Sequence, residues 1–299
     1  MSSDRPPRVA VIGAPGQFGS DLMRVMAAWA PVGLGHADVE VADAAQVLAR
    51  LEAVAPDAVV TCAAFHRVDE CERRPEEAFR VNALGARNVA AACARLRALC
   101  VYVSTDYVFG GEQDRPYAET DPPGPVNVYG TSKLAGEFLV AATAPRWLVV
   151  RVASVFGVAG ARGKGGNFVE TMIAKARAGE RLRVVDDLVM SPTYAADAAA
   201  VVAALIRGGH LGVIHAANAG ACTWFEFAAA IFRELGWDVP LERGRSSDAA
   251  PATRRPRNAA LASPRLAALG LAPPAWQDAL RRYLVARGHL PGVVGADRG

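Results

Sequence analysis

Three side chains between residues 103 and 133 have the chemistry needed to move a proton at a carbonyl group. Thr105 ends an apolar run, and Tyr129 and Lys133 follow one proline-rich loop later, four residues apart. At that spacing two side chains share one face of a helix. A neighbouring ammonium lowers the pKa of a phenol from its usual value of about 10, so Lys133 would adjust Tyr129 for acid–base work at neutral pH. Thr105 would hydrogen-bond the reacting carbonyl oxygen, and the set predicts a carbonyl/alcohol oxidoreductase whose cofactor supplies the hydride.

A glycine-rich loop lies near the start of the chain, between a short apolar run at 8–13 and residues with helical spacing at 18–30. The stretch VIGAPGQFGS contains Gly13, Gly16 and Gly19. In this context the first glycine permits a tight turn, the second lets a pyrophosphate approach the backbone, and the third allows close helix–strand packing. The phosphates would then lie at the positive end of the helix dipole. The loop predicts dinucleotide binding.

The residues after the second strand leave the choice between NAD and NADP open. An acidic side chain there favours the ribose hydroxyls of NAD, and a basic one favours the 2′-phosphate of NADP. The segment 31–43 contains Asp38, Glu40 and Asp43, together with His36 and no Arg. Either NADPH or NADH is therefore expected as the cofactor.

Strand-like and helix-like patterns alternate through the first half of the chain. Apolar, β-branched runs predict strands at 8–13, 57–64, 98–105 and 147–154, and helical spacing predicts helices at 18–30, 44–54, 76–96 and 127–142. Such alternation gives right-handed βαβ units and a mostly parallel sheet covered on both faces. The predicted fold class is α/β, a Rossmann-type doubly wound parallel sheet with a smaller C-terminal α/β substrate domain. Thr105 then lies at the carboxyl end of a strand, where such sheets bind ligands.

The pattern becomes less regular after residue 155. A Gly-rich loop at 160–168 precedes predicted helices at 168–178, 195–206, 223–235 and 274–286 and predicted strands at 182–185 and 212–217. Thr223 is a plausible N-cap and Gly236 a plausible stop for the helix between them. We expect residues 1–154 to form the dinucleotide-binding domain, with 191–217 returning to it. Residues 155–190 and 218–290 would form the substrate-binding domain, and 291–299 a tail.

Composition and charge argue against several classes of protein. Of the 299 residues, 52% are hydrophobic and 21% are charged, which is ordinary for a soluble globular enzyme. The net charge is +3, no basic run suggests nucleic-acid binding, and no apolar run is long enough to predict a membrane span. The five cysteines form no CxxC pair, which favours reduced thiols and a cytoplasmic location. The densest basic segment, 254–257, is either a solvated loop or a clamp for a small anion such as a diphosphate.

Several motifs resemble those of the extended short-chain dehydrogenase/reductase family and, more closely, the dTDP-4-dehydrorhamnose reductase-like family. The matching segments run in order along nearly the whole chain: GAPGQFG, CAAFHRVDECERRPEEAFRVNALGARNVA, STDYVFGG, PYAETDPPGPVNVYGTSKLAGE, GGNFVETM, SPTYAADAA and RPRNAAL. The combination of STDYVFxG with YGxSKxxGE is quite specific. The resemblance implies an NAD(P)H-dependent reductase of a nucleotide-linked 4-keto-6-deoxy sugar, with Tyr129 as the proton donor.

The resemblance also assigns expected roles to individual residues. Catalysis would fall to Thr105, Tyr129 and Lys133. The cofactor would be bound by Gly13, Gly16, Gln17, Phe18, Gly19, Ala63, Ala64, Phe65, Ser104, Tyr129 and Lys133. The nucleoside-diphosphate sugar would be bound by Thr105, Asp106, Val108, Phe109, Ser154, Asn167 and Arg257. Asn82 is as consistent with a structural amide as with a site residue. A homodimer is compatible with the resemblance, and no acidic cluster in the sequence requires a metal.

The chain departs from the family pattern at positions that border the sugar pocket in the family. Ser154 stands where the family usually has Trp, and Leu188 and Met190 replace Gln and Gly. These departures leave the sugar, the nucleotide base and the stereochemistry at C4 open.

Two other functions remain compatible with the sequence. One is a nucleotide-sugar epimerase or dehydratase; such dehydratases typically place Asp-Glu after the catalytic Thr, whereas here Asp106 and Tyr107 follow Thr105. The other is a non-catalytic, cofactor-binding regulatory subunit, because a fold does not fix a function. Net consumption of NAD(P)H separates the reductase from both.

Overall fold

A computed structural model describes residues 5–160, 166–248 and 253–291. The strands are β1 (Val9–Ile12), β2 (Val32–Leu34), β3 (Ala58–Thr61), β4 (Leu99–Thr105), β5 (Trp147–Val152), β6 (Val155–Phe156), β7 (Leu182–Val185), β8 (Val189–Met190), β9 (Thr193–Tyr194), β10 (Gly212–His215), β11 (Cys222–Thr223) and β12 (Leu241–Gly244). The α-helices are α1 (Gln17–Val25), α2 (Ala44–Val54), α3 (Val68–Arg73), α4 (Pro75–Phe79), α5 (Ala86–Leu96), α6 (Val128–Thr143), α7 (Phe168–Arg177), α8 (Ala195–Arg207), α9 (Trp224–Leu235), α10 (Pro264–Ala268) and α11 (Trp276–Ala286).

Six parallel strands form the central sheet in the order β10-β5-β4-β3-β1-β2. The chain passes from β1 to β2 on one side and then continues through β3 on the other side of β1. In a doubly wound sheet this reversal opens a crevice at the carboxyl ends of the strands. The predicted α/β fold class with a Rossmann-type parallel sheet is confirmed.

Helices cover both faces of this sheet because each face is a continuous apolar surface. Leu22 on α1 and Val202 on α8 are buried against one face. Leu51 on α2, Val89 on α5 and Val140 on α6 are buried against the other. Burial of each such side chain contributes about 1.5–3 kcal/mol before the entropy of folding is counted. The two layers hold the carboxyl ends of the strands at one edge.

A second apolar cluster lies outside the sheet, where α7, α9 and α11 pack around β7. Its interior includes Ile173, Leu182, Phe227 and Tyr283. The two-domain division stays a prediction, although this cluster and the pairing of β10 with β5 are the features it would rest on. Part of the predicted Gly-rich loop (161–165) and nearly all of the predicted tail (292–299) lie outside the described residues.

The helix predicted at 76–96 is interrupted in the structure. α4 ends at Phe79, residues Arg80–Gly85 form a π-helical segment, and α5 begins at Ala86. Within this segment the Asn82 carbonyl oxygen accepts a hydrogen bond from the Tyr102 hydroxyl at 2.8 Å. Such π-helical turns are often found at functional sites. The apolar spacing is continuous across the break, so periodicity alone does not detect it.

Other sequence features agree with the structure at single positions. The Thr223 side chain accepts from the Glu226 amide in a capping box, and Gly236 ends α9 in the left-handed conformation, which confirms both predictions. None of the five cysteines is in a disulfide bond. No helix within the described ranges is both long and apolar enough to cross a membrane.

Candidate active site

A cleft of about 1270 Å³ lies at the carboxyl ends of β1, β3, β4 and β5. It reaches from the loop after β2, past the glycine loop, to the start of α7. Fifteen of the eighteen predicted site residues line it, with Asp106, Ser154 and Asn167 at the sugar end. The three that do not line it are Val108, Phe109 and Arg257.

The glycine loop is shaped by close backbone contacts. Gly13 has φ +85° and donates its amide to the Leu34 carbonyl at 2.8 Å, which joins β1 to β2. A Cβ at Gly19 would overlap the Gly13 carbonyl oxygen, so this contact needs a glycine. Gly16 is the N-cap of α1, whose first turn faces the cleft. The loop therefore presents backbone at a helix N-terminus, the arrangement that binds phosphate groups.

Two further residues of this loop differ in their surroundings. The Gln17 side chain donates to the Val155 carbonyl at 2.9 Å, and its own amide oxygen is buried with no hydrogen-bond partner in the described part of the chain. Phe18 is largely buried and packs into the core under the sheet. Both also line the cleft.

The loop after β3 is held by Asn82. The Asn82 side chain accepts from the Phe65 amide at 2.8 Å and donates to the Phe65 carbonyl at 3.0 Å. It also donates to the Ser132 hydroxyl on α6 at 2.9 Å. These bonds support the structural interpretation of Asn82, which fixes the cleft wall formed by Ala63, Ala64 and Phe65.

The three predicted catalytic side chains meet at the end of β4. Thr105 ends that strand, and Tyr129 and Lys133 lie in the first two turns of α6, which Asn127 caps through its bond from the Gly130 amide at 2.8 Å. Burial raises the pKa of Tyr129, and a hydrogen bond with Thr105 opposes this effect. Thr105 and Tyr129 are thus close enough to share one substrate oxygen.

Lys133 is buried beneath this pair. Its ammonium donates to the Val103 carbonyl at 2.7 Å and lies 4.0 Å from the centre of the Tyr102 ring. Burial lowers the pKa of Lys133 to about 7, whereas Glu137 acts to raise it. The expected lowering of the Tyr129 pKa by Lys133 stays a prediction, since burial is the largest influence on that phenol.

Ser104 and Asp106 flank Thr105 and are both buried. The Ser104 hydroxyl donates to Glu137 Oε1 at 2.5 Å, so its side chain is engaged within the protein. Asp106 Oδ1 accepts from the Thr105 hydroxyl at 2.8 Å, while Asp106 Oδ2 is buried with no partner in the described residues. Burial raises the pKa of the Asp106 carboxyl to about 7. A carboxyl with this pKa beside Thr105 can both donate and accept at neutral pH.

Two residues expected at the sugar end lie in the interior instead of the cleft. Val108 and Phe109 are fully buried, and the Phe109 ring stacks on Tyr117 at 4.3 Å. They belong to a small apolar cluster under the proline-rich loop and are not among the side chains that line the cleft. Their assignment to substrate binding stays a prediction that this placement does not favour.

Ser154 and Asn167 line the sugar end of the cleft. Ser154 has φ +41°, a left-handed conformation that is uncommon for a residue with a Cβ. Asn167 caps α7 through its bond from the Glu170 amide at 3.1 Å and donates to the Gly157 carbonyl and the Tyr283 hydroxyl at 3.0 and 2.9 Å. The Asn167 side chain is therefore fully hydrogen-bonded within the protein.

Arg257 lies apart from the cleft, at a separate cavity of about 310 Å³ that Arg254 and Arg255 also line. Its exposed guanidinium pairs with Asp114 at 2.8 Å. Leu188 and Met190, the other departures from the family pattern, do not line the cleft either. Of the three departures, the structure brings only Ser154 to it.

Sequence reasoning missed an aromatic wall at the sugar end. Phe168 and Trp224 line the cleft with their ring centroids 4.7 Å apart, and Phe227 adjoins them. The available signal was an aromatic residue in the first turn of each of two helices, directly after Asn167 and Thr223. No group of three or more potential metal ligands occurs in residues 5–160, 166–248 and 253–291.

Comparison with known protein families finds a match along nearly the whole chain. A family model described as the RmlD substrate binding domain matches residues 7–287. The spore coat polysaccharide biosynthesis protein SpsK of Bacillus subtilis (strain 168) is 37% identical over 282 residues, which cover 94% of this chain and 98% of that protein. The dTDP-4-dehydrorhamnose reductase of Mycobacterium tuberculosis (strain ATCC 25618 / H37Rv) is 40% identical over 293 residues, which cover 94% of each.

Solved structures give the same result for the fold. The crystal structure of dTDP-4-dehydrorhamnose reductase from Bacillus anthracis in complex with NADP has a TM-score of 0.89 and 34% identity, and the match covers 94% of this chain and 99% of that one. A Thermus thermophilus UDP-glucose 4-epimerase in complex with NAD has a TM-score of 0.78 over 96% and 100% of the two chains. At 22% identity this second likeness concerns the fold alone.

Proposed function

The chain belongs to the RmlD substrate binding domain family, and on that premise we propose that it reduces the keto group of a nucleotide-linked 4-keto-6-deoxy sugar, with Tyr129 as proton donor. By this membership it is a sugar-nucleotide reductase that uses NADPH or NADH. The observation that supports the finer proposal best is the meeting of Thr105, Tyr129 and Lys133 at one point of the cleft, beside the glycine loop.

The cleft fits a nicotinamide dinucleotide. The Gly13–Gly19 contact leaves no room for a Cβ, and the first turn of α1 faces the space where the pyrophosphate would lie. When bound, the reduced nicotinamide supplies a hydride to the carbonyl carbon. We assign the diphosphate of the cofactor to the glycine loop and its ribose to the neighbourhood of Lys133.

The protein residues would manage the proton. The Tyr129 phenol would donate a hydrogen bond to the substrate carbonyl oxygen, and the Thr105 hydroxyl would exchange its bond to Asp106 for a second one, which polarises the C=O bond. Tyr129 would give its phenolic proton to the carbonyl oxygen as the carbon is reduced, which would leave an alcohol and a tyrosinate. The Lys133 ammonium stabilises that tyrosinate until solvent returns the proton.

The sugar would lie between Thr105 and the aromatic wall. Phe168 and Trp224 offer an apolar surface for the deoxy methyl group or the base, and Asp106 offers a hydrogen-bonding carboxyl beside the reacting oxygen. The contact of Arg257 with a diphosphate, the homodimer and the cytoplasmic location all stay predictions.

The test is oxidation of NADPH or NADH by the purified protein with dTDP- and GDP-linked 4-keto-6-deoxyhexoses. We expect stoichiometric consumption with at least one substrate and a fall in kcat of about 100- to 10,000-fold in Tyr129→Phe, because one general acid contributes that much. Tyr194→Phe is the control, since it removes a hydroxyl from a buried tyrosine that does not line the cleft.

Three results would count against the proposal. Full activity in a folded Tyr129→Phe protein would remove Tyr129 from the mechanism. Substrate conversion without net cofactor consumption would indicate an epimerase or dehydratase, and cofactor binding with no conversion of any keto sugar would indicate a regulatory subunit.

A further inference from the structure

A buried ion pair lies directly behind the catalytic residues, and the proposed mechanism does not use it. Arg151 and Glu137 are each 5% exposed at their side chains. The guanidinium binds the carboxylate with two bonds, Nε to Oε1 at 2.9 Å and Nη2 to Oε2 at 2.6 Å. Taking two charges out of water is costly, and a well-packed apolar pair would often stabilise the fold equally well. The pair therefore calls for an explanation beyond stability.

The position of the pair links it to two of the three catalytic residues, Lys133 and Thr105. Glu137 lies one helical turn after Lys133 on α6, so the two share a face. Arg151 on β5 is the register partner of Ser104 on β4, and Ser104 directly precedes Thr105. The Ser104 hydroxyl donates to Glu137 at 2.5 Å. One carboxylate thus connects the end of β4 to the catalytic turn of α6.

Contacts on the far side of Arg151 give the ion pair a defined orientation. At the far side of the guanidinium, Arg151 Nη1 lies 3.4 Å from His215 Nε2, and the cation lies over the Phe109 ring at 5.0 Å. Burial and the Arg151 charge lower the pKa of His215 to about 4, so this imidazole is neutral at pH 7. The positive end of the pair consequently faces a neutral neighbour, while its negative end faces Lys133.

We propose that Glu137 is a positioning residue for the reduction: Arg151 anchors its carboxylate, which fixes the Ser104-Thr105 strand end and supplies the negative charge that holds the Lys133 ammonium. This inference rests on the proposed function for its catalytic consequence. It assigns to Ser104 a role behind the site, through its hydroxyl, in place of the expected side-chain contact with the cofactor.

Among the groups around Lys133, Glu137 has the largest effect in raising the pKa of the lysine. Those that face it are Glu137 and Tyr129 from α6, Tyr102 and the Val103 carbonyl from β4, and Cys62 from the loop after β3. Burial lowers the pKa of Lys133 to about 7; Glu137 is the largest opposing influence, and the Cys62 thiol is a lesser one. Without the Glu137 charge, the pKa of Lys133 would be lower still.

The chain offers a direct measurement, because it contains only three lysines, Lys133, Lys164 and Lys175. NMR of protein carrying isotope-labelled lysine follows each amine through a pH titration without any turnover. We expect Glu137→Gln to lower the titration midpoint of Lys133 by about one pH unit or more, since an opposite charge at close range shifts a pKa by that much. Lys175, which is half exposed at the surface, serves as the internal reference.

Kinetics provide the second readout. The alkaline limb of the pH profile of kcat/KM should move to lower pH in Glu137→Gln by the same amount as the Lys133 midpoint. Asp197→Asn is the matched control, because Asp197 also binds an arginine through two bonds of 2.7 Å but lies away from the cleft. A purely structural role predicts that both variants lose stability and that neither moves the limb.

Ser104→Ala tests the positioning half of the proposal. This variant keeps the charges of Glu137 and Arg151, so the titration midpoint of Lys133 should not change. We expect kcat to fall by about 10-fold or more, as for other small misplacements of reacting groups. An unchanged kcat would overturn the role given to Ser104. An unchanged Lys133 midpoint in Glu137→Gln would overturn the role given to the charge.

The role of Glu137 can still be tested if the Glu137→Gln protein does not fold or if the wild-type protein is inactive. If Glu137→Gln does not fold, the double variant Glu137→Gln/Arg151→Met removes the arginine charge that the single variant leaves unpaired, and a downward shift of the Lys133 midpoint is again expected. If the wild-type protein reduces no keto sugar, the proposed function fails, whereas the lysine titration still judges the role of Glu137.

Discussion

The two ends of the cleft differ in the groups that line them. At the cofactor end the wall is mainly backbone, formed by Gly13, Gly16 and Gly19 and by the loop that Asn82 holds through Phe65. Gly19 has to lack a side chain, because a Cβ there would overlap the Gly13 carbonyl oxygen. A position of this kind tolerates little variation, whichever nucleotide is bound.

At the sugar end the wall is made of side chains that also serve the fold. Asn167 caps α7, and Asp106 accepts from Thr105. Phe168 and Trp224 pack against the apolar cluster around β7. Such a wall can be altered one residue at a time, and Ser154 has an uncommon left-handed backbone conformation there. Substitutions should therefore affect cofactor binding and sugar binding in separable ways.

The largest effect is expected from Gly19→Ala at the cofactor end. The new methyl group would push the glycine loop away from α1, and we expect cofactor affinity to fall by on the order of 1000-fold, which corresponds to about 4 kcal/mol. Calorimetric titration with NADPH and NADH measures this directly. Gly124→Ala is the control, because a Cβ at Gly124 meets nothing within 4 Å. Equal affinity in the two variants would contradict the account of a backbone-lined end.

The second prediction concerns Asp106→Asn at the sugar end. The folded-state pKa of Asp106, about 7, lies above its ordinary value of about 3.8. Ionisation of this buried carboxyl therefore lowers stability as pH rises from about 4 to 7, and the loss is complete above pH 7. We expect Asp106→Asn to raise the free energy of unfolding by about 2 kcal/mol at pH 8 and to have little effect at pH 4, since the amide is neutral at both.

Denaturant unfolding at the two pH values checks this result. Asp121→Asn is a control of opposite sign, because the Arg115 guanidinium holds the pKa of Asp121 at about 2, so this substitution should destabilise the protein at neutral pH. A gain from Asp106→Asn of the same size at pH 4 and pH 8 would show that ionisation is not the cause.

Asn167→Ala separates structural from substrate roles at the sugar end. The variant loses the cap of α7 and the bonds to Gly157 and Tyr283, and we expect a loss of about 1–2 kcal/mol in the free energy of unfolding. Thr223→Ala removes a comparable cap from α9 and should cost a similar amount. If Asn167 also binds substrate, KM for the keto sugar rises in Asn167→Ala and not in Thr223→Ala.

The smallest effect is expected from Ser154→Gly. A glycine relieves the left-handed conformation at φ +41°, and the gain is partly offset by the entropy of the glycine, so we expect about 0.5–1 kcal/mol of added stability. Ala55→Gly is the matched control, because Ala55 has φ +47° far from the cleft. Thermal unfolding measures both, and a destabilised Ser154→Gly protein would indicate that the Ser154 side chain makes a stabilising contact.

Much of the central sheet could be predicted from the sequence because its cause is local. The helix predicted at 127–142 is α6 at Val128–Thr143, and the strand predicted at 98–105 is β4 at Leu99–Thr105. Apolar spacing reports which residues of an element are buried: α6 buries one side, and β4 is buried along nearly its whole length. The π-helical break at Arg80–Gly85 escaped prediction because it is accompanied by hydrogen bonds between Asn82 and residues distant in sequence, Phe65 and Tyr102.

The site residues could likewise be predicted from the sequence only where the signal is local. The spacing of Gly13, Gly16 and Gly19 and the four-residue step from Tyr129 to Lys133 are properties of continuous segments. The contacts of Val108, Phe109 and Arg257 depend on the whole fold, since the same short motif can place a side chain in the cleft, in the core or at the surface. The structure buries the first two and exposes the third.

The sequence by itself determined the alternation of strands and helices, the glycine loop at the first turn and the pairing of a tyrosine with a lysine on one helical face. These follow from backbone geometry over a few neighbouring residues. Only the tertiary structure decided that the Ser104 hydroxyl binds Glu137, 33 residues away, and that Asn167 binds Tyr283, 116 residues away. Such bonds form because folding brings distant polar groups together in a dry interior, where each must find a partner, and no local pattern records which partner that is.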